Sequence, residues 1–142
     1  MKLFVTGGTG FIGSHFINKA HDEGFELVCL KRRGGRPRVI INKQPIWIEG
    51  NIDENFDRSI FKDIDVLVHF AAHSTNTPYD NLENCIYWNV YATLKLFNQA
   101  KDAGIKNFLV AGSCFEYGRS GEKYFEIPAE APLEPTMSYP TS

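Results

Sequence analysis

Residues 6–13 read Thr-Gly-Gly-Thr-Gly-Phe-Ile-Gly (TGGTGFIG). Just before them, Lys2–Thr6 (KLFVT) is a short apolar run that stops at glycines, which predicts a buried strand. Just after them, Phe11, Ile12, Phe16, Ile17 and Ala20 fall at helical spacing on the way to Glu23, and Gly24 closes the helix. Strand, glycine turn and helix in that order are the context in which such a turn holds a dinucleotide. Gly8-x-Gly10-x-x-Gly13 fits the fingerprint, and Gly7-x-x-Gly10-x-x-Gly13 fits its close variant. The glycines permit a tight turn and let backbone approach a pyrophosphate, which the helix N-terminus then meets with free N–H groups. Gly7, Gly10 and Gly13, with Phe11 and Ile12 of the first turn, are therefore the first candidate cofactor contacts. A glycine turn without a ligand is the plain alternative.

Strand and helix keep alternating beyond this point. Phe25–Leu30 is a second apolar strand, Ile46–Ile48 a weaker third and Asp65–Phe70 a strong fourth, with a short irregular or helical piece around Asn55–Phe61. A long helix is predicted over Leu82–Ala103, ended by Gly104, and Asn107–Ala111 is a fifth strand. Loops marked by glycine and proline follow from Gly112 to Pro135. Such alternation, with continuous apolar strands, predicts an α/β fold built on a doubly wound parallel sheet. Ligands of such sheets bind beyond the carboxyl ends of the strands, where the strand order reverses.

Composition narrows the function classes. The 142 residues are 43% hydrophobic and 23% charged, with a formal net charge of -2, the balance of a soluble globular domain. Near-neutrality argues against non-specific nucleic-acid binding. No apolar run approaches the roughly 20 residues of a membrane span, and no signal peptide precedes the first strand, so the cytoplasm is the default compartment. Cys29, Cys85 and Cys114 form no CxxC pair, which indicates neither a disulfide framework nor a metal site. His15, His21 and His69 show no ligand spacing and read as packing or surface residues.

The end of the second strand bears on cofactor choice. An NAD site calls for Asp or Glu about 20 residues past the glycines, to accept from the ribose 2′-OH. Here the chain reads LKRRGGRPR, with Lys31, Arg32 and Arg33 followed by Arg36 and Arg38. Cations there suit a 2′-phosphate that a carboxylate would repel, so NADP is favoured over NAD, with Lys31 and Arg32 as its contacts. A solvated basic loop is the alternative.

Five stretches together resemble one family: TGGTGFIG, VHFAAHS (Val68–Ser74), NVYATLKLFNQAKDAGIKNFLVAGS (Asn89–Ser113), EYG (Glu116–Gly118) and SYPTS (Ser138–Ser142). In this order they resemble the extended short-chain dehydrogenases/reductases, the nucleotide-sugar epimerases, dehydratases and ketoreductases. The resemblance implies that residues 1–142 are an NAD(P)-binding Rossmann-type domain. It also implies a catalytic serine at Ser113, and a catalytic tyrosine at Tyr139 whose Tyr-x-x-x-Lys lysine would follow directly after Ser142. On that reading the chain is an N-terminal piece, inactive alone, without the remaining strands and the substrate lobe. Ala71 and Ala72 are implied to pass close to the dinucleotide. Asn51, beside Ile52, stands where the family usually has an aspartate near the adenine. Asn89 matches an asparagine that braces the active-site backbone, and is counted among the cofactor contacts. His73, Ser74 and Thr75 would face nicotinamide or sugar, although His73 reads equally well as a solvated loop residue.

The implied chemistry explains these residue types. Hydride transfer at a sugar carbon requires a proton to move on the attached oxygen. A tyrosine hydroxyl is a poor base at neutral pH unless a cation stabilises its phenolate. A serine hydroxyl on the same oxygen polarises it as a carbonyl. Dehydratases follow this serine or threonine with an Asp-Glu pair, and here those positions are Cys114 and Phe115, which argues against dehydration. The basic ribose loop then points to an NADPH-dependent ketoreductase acting on a nucleotide-linked keto-deoxysugar. An NAD-dependent nucleotide-sugar epimerase is the second reading, and a non-catalytic NAD(P)-binding sensor the reading from another class. The family resemblance also implies a homodimer through the Leu82–Ala103 helix, whose Ile86, Val90, Leu94 and Phe97 share one face while Tyr87, Trp88 and Tyr91 lie elsewhere around it.

Overall fold

Strand β1 (Lys2–Thr6) sends Leu3 and Val5 to one side of a sheet and Phe4 to the other, and all three are buried. A strand that is covered on both faces has no use for polar alternation, so it reads as a continuous apolar run. Strand β2 (Glu26–Lys31) repeats the pattern, with Leu27 and Cys29 on the first side and Val28 and Leu30 on the second. Strands β3 (Ile46–Glu49), β4 (Val66–His69) and β5 (Asn107–Val110) complete a parallel sheet in the order β3-β2-β1-β4-β5. The order reverses between β1 and β4, which sets the crevice of a doubly wound sheet at the carboxyl ends of those two strands.

These observations come from a computed structural model that describes residues 1–142. The chain divides into two compact units. One comprises Met1–Ala71 with Ala92–Ala111, and the other Ala72–Tyr91 with Gly112–Ser142. The sheet belongs to the first. Helix α1 (Phe11–Asp22) covers one face of it with Ile17 and Ala20. On the other face lie Leu96 and Ala100 of a later helix, together with Phe61 and Ile64. Strand β5 differs from its neighbours: all four of its residues are exposed, and Leu109 is 54% accessible at the sheet edge.

The second unit is built of short turns. Single 3-10 turns occupy Cys114–Tyr117 and Arg119–Glu122, a parallel bridge joins Gly118 to Glu134, and helix α4 (Ser138–Thr141) ends the chain. The Lys123 ammonium donates to both Glu134 carboxylate oxygens, at 2.9 and 2.7 Å, which holds the Glu134 carboxyl below the usual carboxylate range.

The helix expected over Leu82–Ala103 forms, but not as one regular α-helix. It opens as α2 (Leu82–Cys85), widens into a π-helical stretch over Ile86–Ala92 and returns to α-geometry as α3 (Thr93–Asp102). Apolar periodicity is insensitive to such a change of winding, whose usual home is a functional position. Asn89 lies in the widened stretch. Strand β2 is also displaced by one residue from the expected Phe25–Leu30, so Lys31 is its last residue rather than the first of the loop.

One buried polar pair ties the carboxyl ends of β1 and β4 together. Thr6 and His69 are register partners, and the Thr6 hydroxyl lies 2.8 Å from His69 Nδ1. On the other side of the ring, Nε2 meets the Thr93 hydroxyl at 3.3 Å. The two hydroxyls satisfy a neutral imidazole, which needs one donor and one acceptor. Burial disfavours the imidazolium and lowers the His69 pKa from 6.5 to about 4. Between those two values the unfolded chain binds a proton that the folded chain does not. Stability is therefore fully present above pH 6.5 and is lost on acidification toward pH 4, by about 3 kcal/mol from this one group. Histidine resonances followed by NMR from pH 8 to pH 4 should show the His69 ring neutral until close to pH 4. A midpoint near the ordinary value would contradict the burial argument.

Candidate functional site

The glycine turn after β1 is a place where backbone touches backbone. Gly7 adopts φ +70°, and a Cβ placed on it would stand 2.5 Å from Ala71 N and from the Phe70 carbonyl carbon. A Cβ on Gly13 would lie 2.2 Å from Gly7 O, whereas one on Gly8 would meet side chains alone, the end of Ile17 at 3.0 Å and the Trp47 ring at 3.6 Å. The structure therefore selects Gly7-x-x-Gly10-x-x-Gly13 as the working pattern. Gly10 N–H donates to Gly7 O at 2.9 Å, which closes the turn, and Gly10 is the N-cap of α1.

No side chain caps α1, and its first turn holds no acidic residue. The N–H groups of Phe11, Ile12 and Gly13 and the positive end of the helix dipole are thus left for an external anion. The Phe11 and Ile12 side chains are exposed. Ala71 N–H donates to the Thr6 hydroxyl at 3.3 Å, which fixes the chain leaving β4 against the one leaving β1. A cradle with no room for side chains and with unanswered N–H groups fits a dinucleotide pyrophosphate.

The ribose side departs from expectation. Lys31 is not free: its ammonium sits 3.0 Å from Glu49 Oε1 and 5.7 Å from the centre of the Trp47 ring. Glu49 closes β3 in register with Lys31, so pairing of β2 with β3 brings the two charges together. Arg32, Arg33, Arg36 and Arg38 are exposed, and none of them forms an ion pair. Asn51 follows β3 and donates from its backbone N–H and its Nδ2 to Glu54 Oε1, at 3.0 and 3.4 Å. Its Oδ1 remains available as an acceptor. Ile52 packs on the core, and the same segment is held to α3 by Gln99, which accepts from Phe56 N–H at 2.7 Å and donates to Glu54 O at 3.0 Å.

In the second unit, Asn89 and Asp80 organise the remaining candidates. The Asn89 amide accepts from His73 N–H at 2.6 Å and donates to His73 O at 3.2 Å and to the Ser142 hydroxyl at 2.8 Å. Ser142 in turn donates to Tyr139 O at 2.8 Å. Asn89 thus spends its side chain on protein groups, as a brace. His73 lies in the loop after β4 with its side chain 34% exposed, and its Nε2 is 2.8 Å from Asp80 Oδ2. That bond, with others from Asn81 N–H and the Asn84 amide, holds the Asp80 carboxyl below the usual carboxylate range. Asp80 N–H donates to the Ser74 hydroxyl at 2.7 Å, and Ser138 donates to Asp80 O at 2.6 Å. Thr75 and Ala72 are exposed beside this network.

Tyr139 is half-buried, its ring 5.4 Å from that of Tyr79. Ser113 caps the Cys114–Tyr117 turn: its hydroxyl accepts from Phe115 N–H at 3.2 Å, while Glu116 accepts from Ser113 N–H at 2.6 Å. With a lone pair committed to Phe115, the Ser113 O–H proton is left to donate outward. Helix α4 packs against this turn, and Cys114, Phe115 and Met137 line a hollow beside it. Sequence reasoning missed Asp80 and Glu116. The Ser-x-x-Glu spacing of a capping box was a local signal for Glu116. Asp80 gave none, because its partners are scattered from His73 to Ser138.

Comparison with known proteins agrees with this geometry. The model of the NAD dependent epimerase/dehydratase family matches residues 3–142. A UDP-glucose 4-epimerase of Klebsiella pneumoniae is 35% identical over an alignment of 133 positions that covers 83% of this chain and 93% of that one. A dTDP-D-glucose 4,6-dehydratase of Mus musculus is 31% identical over an alignment of 155 positions, gaps included, that covers 99% of this chain and 42% of its own. Among solved structures, MoeE5 in complex with UDP-glucose and NAD superimposes with a TM-score of 0.79 at 25% identity, over 99% of this chain and 45% of that one. The chain therefore spans less than half of the mouse protein and of MoeE5. A parallel sheet in this strand order, a glycine cradle at its crevice and a family match across nearly every residue lead to one conclusion: the chain belongs to the NAD-dependent epimerase/dehydratase family.

Proposed function

We propose that residues 1–142 are the dinucleotide-binding part of an NADPH-dependent ketoreductase that acts on a nucleotide-linked keto-deoxysugar. The observation that carries this reading is the loop after β2, with four arginines that make no ion pair where a ribose-binding carboxylate would stand. Arg32 is the leading contact for a 2′-phosphate. Lys31 contributes less than its position suggests, because Glu49 already neutralises it. Gly7, Gly10, Gly13, Phe11 and Ile12 hold the pyrophosphate through backbone, Ala71 and Ala72 line its passage, and Asn51 with Ile52 meets the adenine side. When bound, the nicotinamide cofactor supplies the hydride. Ser113 directs its O–H as a hydrogen bond to the sugar oxygen and keeps its proton, and Tyr139 supplies the single proton that this oxygen takes up as the carbonyl is reduced. Asn89 holds the His73 backbone and the Tyr139 turn in place. His73, Ser74 and Thr75 contact the sugar side.

An NAD-dependent nucleotide-sugar epimerase is the second reading. It is favoured by the Klebsiella relative and by the Lys31–Glu49 pair, which leaves a carboxylate at the carboxyl end of β3. Titration of the natural full-length protein separates the two readings. On the ketoreductase reading NADPH binds more tightly than NADH, and replacing Lys31 with Asp and Arg32 with Ala together reverses the preference, since each charge-assisted contact is worth about 1.5–3 kcal/mol. Equal affinities in the unmutated protein would favour the epimerase.

The catalytic assignment has its own test. Tyr139→Phe should lower turnover of a keto-sugar nucleotide by roughly 10²–10⁴-fold and leave dinucleotide affinity unchanged. Activity within a few-fold of the parent would remove Tyr139 from the mechanism.

We further infer a homodimer through the helical stretch that begins at Leu82. Ile86, Tyr87, Tyr91 and Leu94 are all exposed there, more apolar surface than a solvated helix carries. Light scattering at micromolar concentration should report a dimer, and Tyr91→Glu combined with Leu94→Glu should shift it toward monomer. A parent protein that is monomeric at those concentrations would refute the interface.

A further inference from the structure

The segment between β2 and β3 carries Arg32, Arg33, Arg36, Arg38 and Lys43 and no acidic residue up to Glu49. A loop of that charge repels itself and, left alone, extends into solvent. Here it is fastened. Gly35 N–H donates to Arg32 O at 2.8 Å, closing a turn. Arg38 N–H donates to Thr9 O at 3.2 Å, and Thr9 belongs to the glycine cradle. The strongest fastening comes from α1. Asn18 donates from Nδ2 to Ile40 O at 2.8 Å and accepts at Oδ1 from Asn42 N–H at 3.0 Å. Between those two anchor points the Ile41 side chain is buried against Ile17 and Ala20 of α1, although Ile40 itself is 85% exposed.

A primary amide that commits its donor and its acceptor to backbone groups two residues apart fixes both the position and the direction of the chain between them. We propose that Asn18 is a specificity-determining positioning residue: its bracket on Ile40 and Asn42 holds the arginine loop against the glycine cradle, and selection of a 2′-phosphate over a 2′-hydroxyl depends on that hold. The arginines make the contact, and Asn18 acts through them. The proposal rests on the NADPH reading above. Its physical basis is preorganisation. Cations that are already ordered beside the cradle lose little freedom when a phosphate arrives, whereas cations on a free loop must be ordered by the ligand itself. The effect is largest at the 2′ position, because the pyrophosphate is met by the N–H groups of Phe11, Ile12 and Gly13, and the loop reaches the cradle through the Arg38 N–H bond to Thr9 O.

The test is dinucleotide binding to the natural full-length protein and to its Asn18→Ala and Asn18→Ser variants, each confirmed as folded by circular dichroism. Serine keeps a polar side chain on α1 but cannot reach both backbone partners, so it serves if the alanine variant is unstable. NADPH affinity should fall about tenfold in either variant while NADH affinity changes less than about twofold. Trypsin should also cut after Arg33 and Arg38 faster in the variants than in the parent, since only a released loop fits a protease. An equal loss for both dinucleotides would mean that Asn18 merely stabilises α1, and an unchanged NADPH-to-NADH ratio would mean that the loop needs no bracket. Either result overturns the proposal while leaving the NADPH reading intact. A parent protein without any NADPH preference would overturn both.

Discussion

The structure hinges on the approach of two backbones at the carboxyl ends of β1 and β4. Gly7 lies so close to the Phe70–Ala71 peptide that a Cβ has no place between them, and Gly13 brings the first turn of α1 equally close to Gly7. Side chains would push helix and sheet apart and fill the space that a pyrophosphate needs. Their absence gives α1 its short path back onto the sheet, where Ile17 and Ala20 complete the core on that face. It also leaves the first N–H groups of the helix without partners in the chain. The same contact therefore sets the packing of the first unit and the chemistry at its crevice.

Around that contact, polar groups are buried only where each has a partner. Thr6 answers both Ala71 N–H and His69, and His69 is answered again by Thr93. The carboxyl ends of β1 and β4 are thus locked together by side chains as well as by ladder bonds. In the second unit the same economy appears around Asp80, which gathers His73, Ser74, Asn81, Asn84 and Ser138 onto its backbone and carboxylate. Asn89 adds the second clamp, from the His73 backbone to Ser142. The π-helical winding around Asn89 is a local departure from the commoner helix, of the kind that accompanies a side chain held in a demanding position.

Charge is distributed by the same sheet register. Because Lys31 and Glu49 are paired across β2 and β3, one of the cations that stands out in the sequence is neutralised. The arginines beyond it have no such neighbour, and their loop is held by neutral amide and backbone hydrogen bonds instead of ion pairs. Fastening a basic loop without acids leaves its field intact for a ligand.

The five strands, the α1 helix and the glycine cradle were legible from residue order, because each rests on a local signal. Two-sided burial makes a strand uniformly apolar, helical periodicity marks α1, and only glycine tolerates the approach at Gly7 and Gly13. Family resemblance supplied Ser113, Tyr139 and Asn89 as candidates through motif order. What tertiary structure alone decided is who pairs with whom. Lys31 looked free because Glu49 lies 18 positions away and becomes its neighbour only through strand pairing. His73 could be assigned to solvent until Asp80 folded back onto it, and Asn18 was one more polar helix residue until residues 40–42 came to lie on it. Periodicity and spacing report the environment of a residue averaged over a turn or a pleat. A hydrogen bond between distant side chains depends on distances of a few tenths of an ångström, and those exist only once the chain has packed.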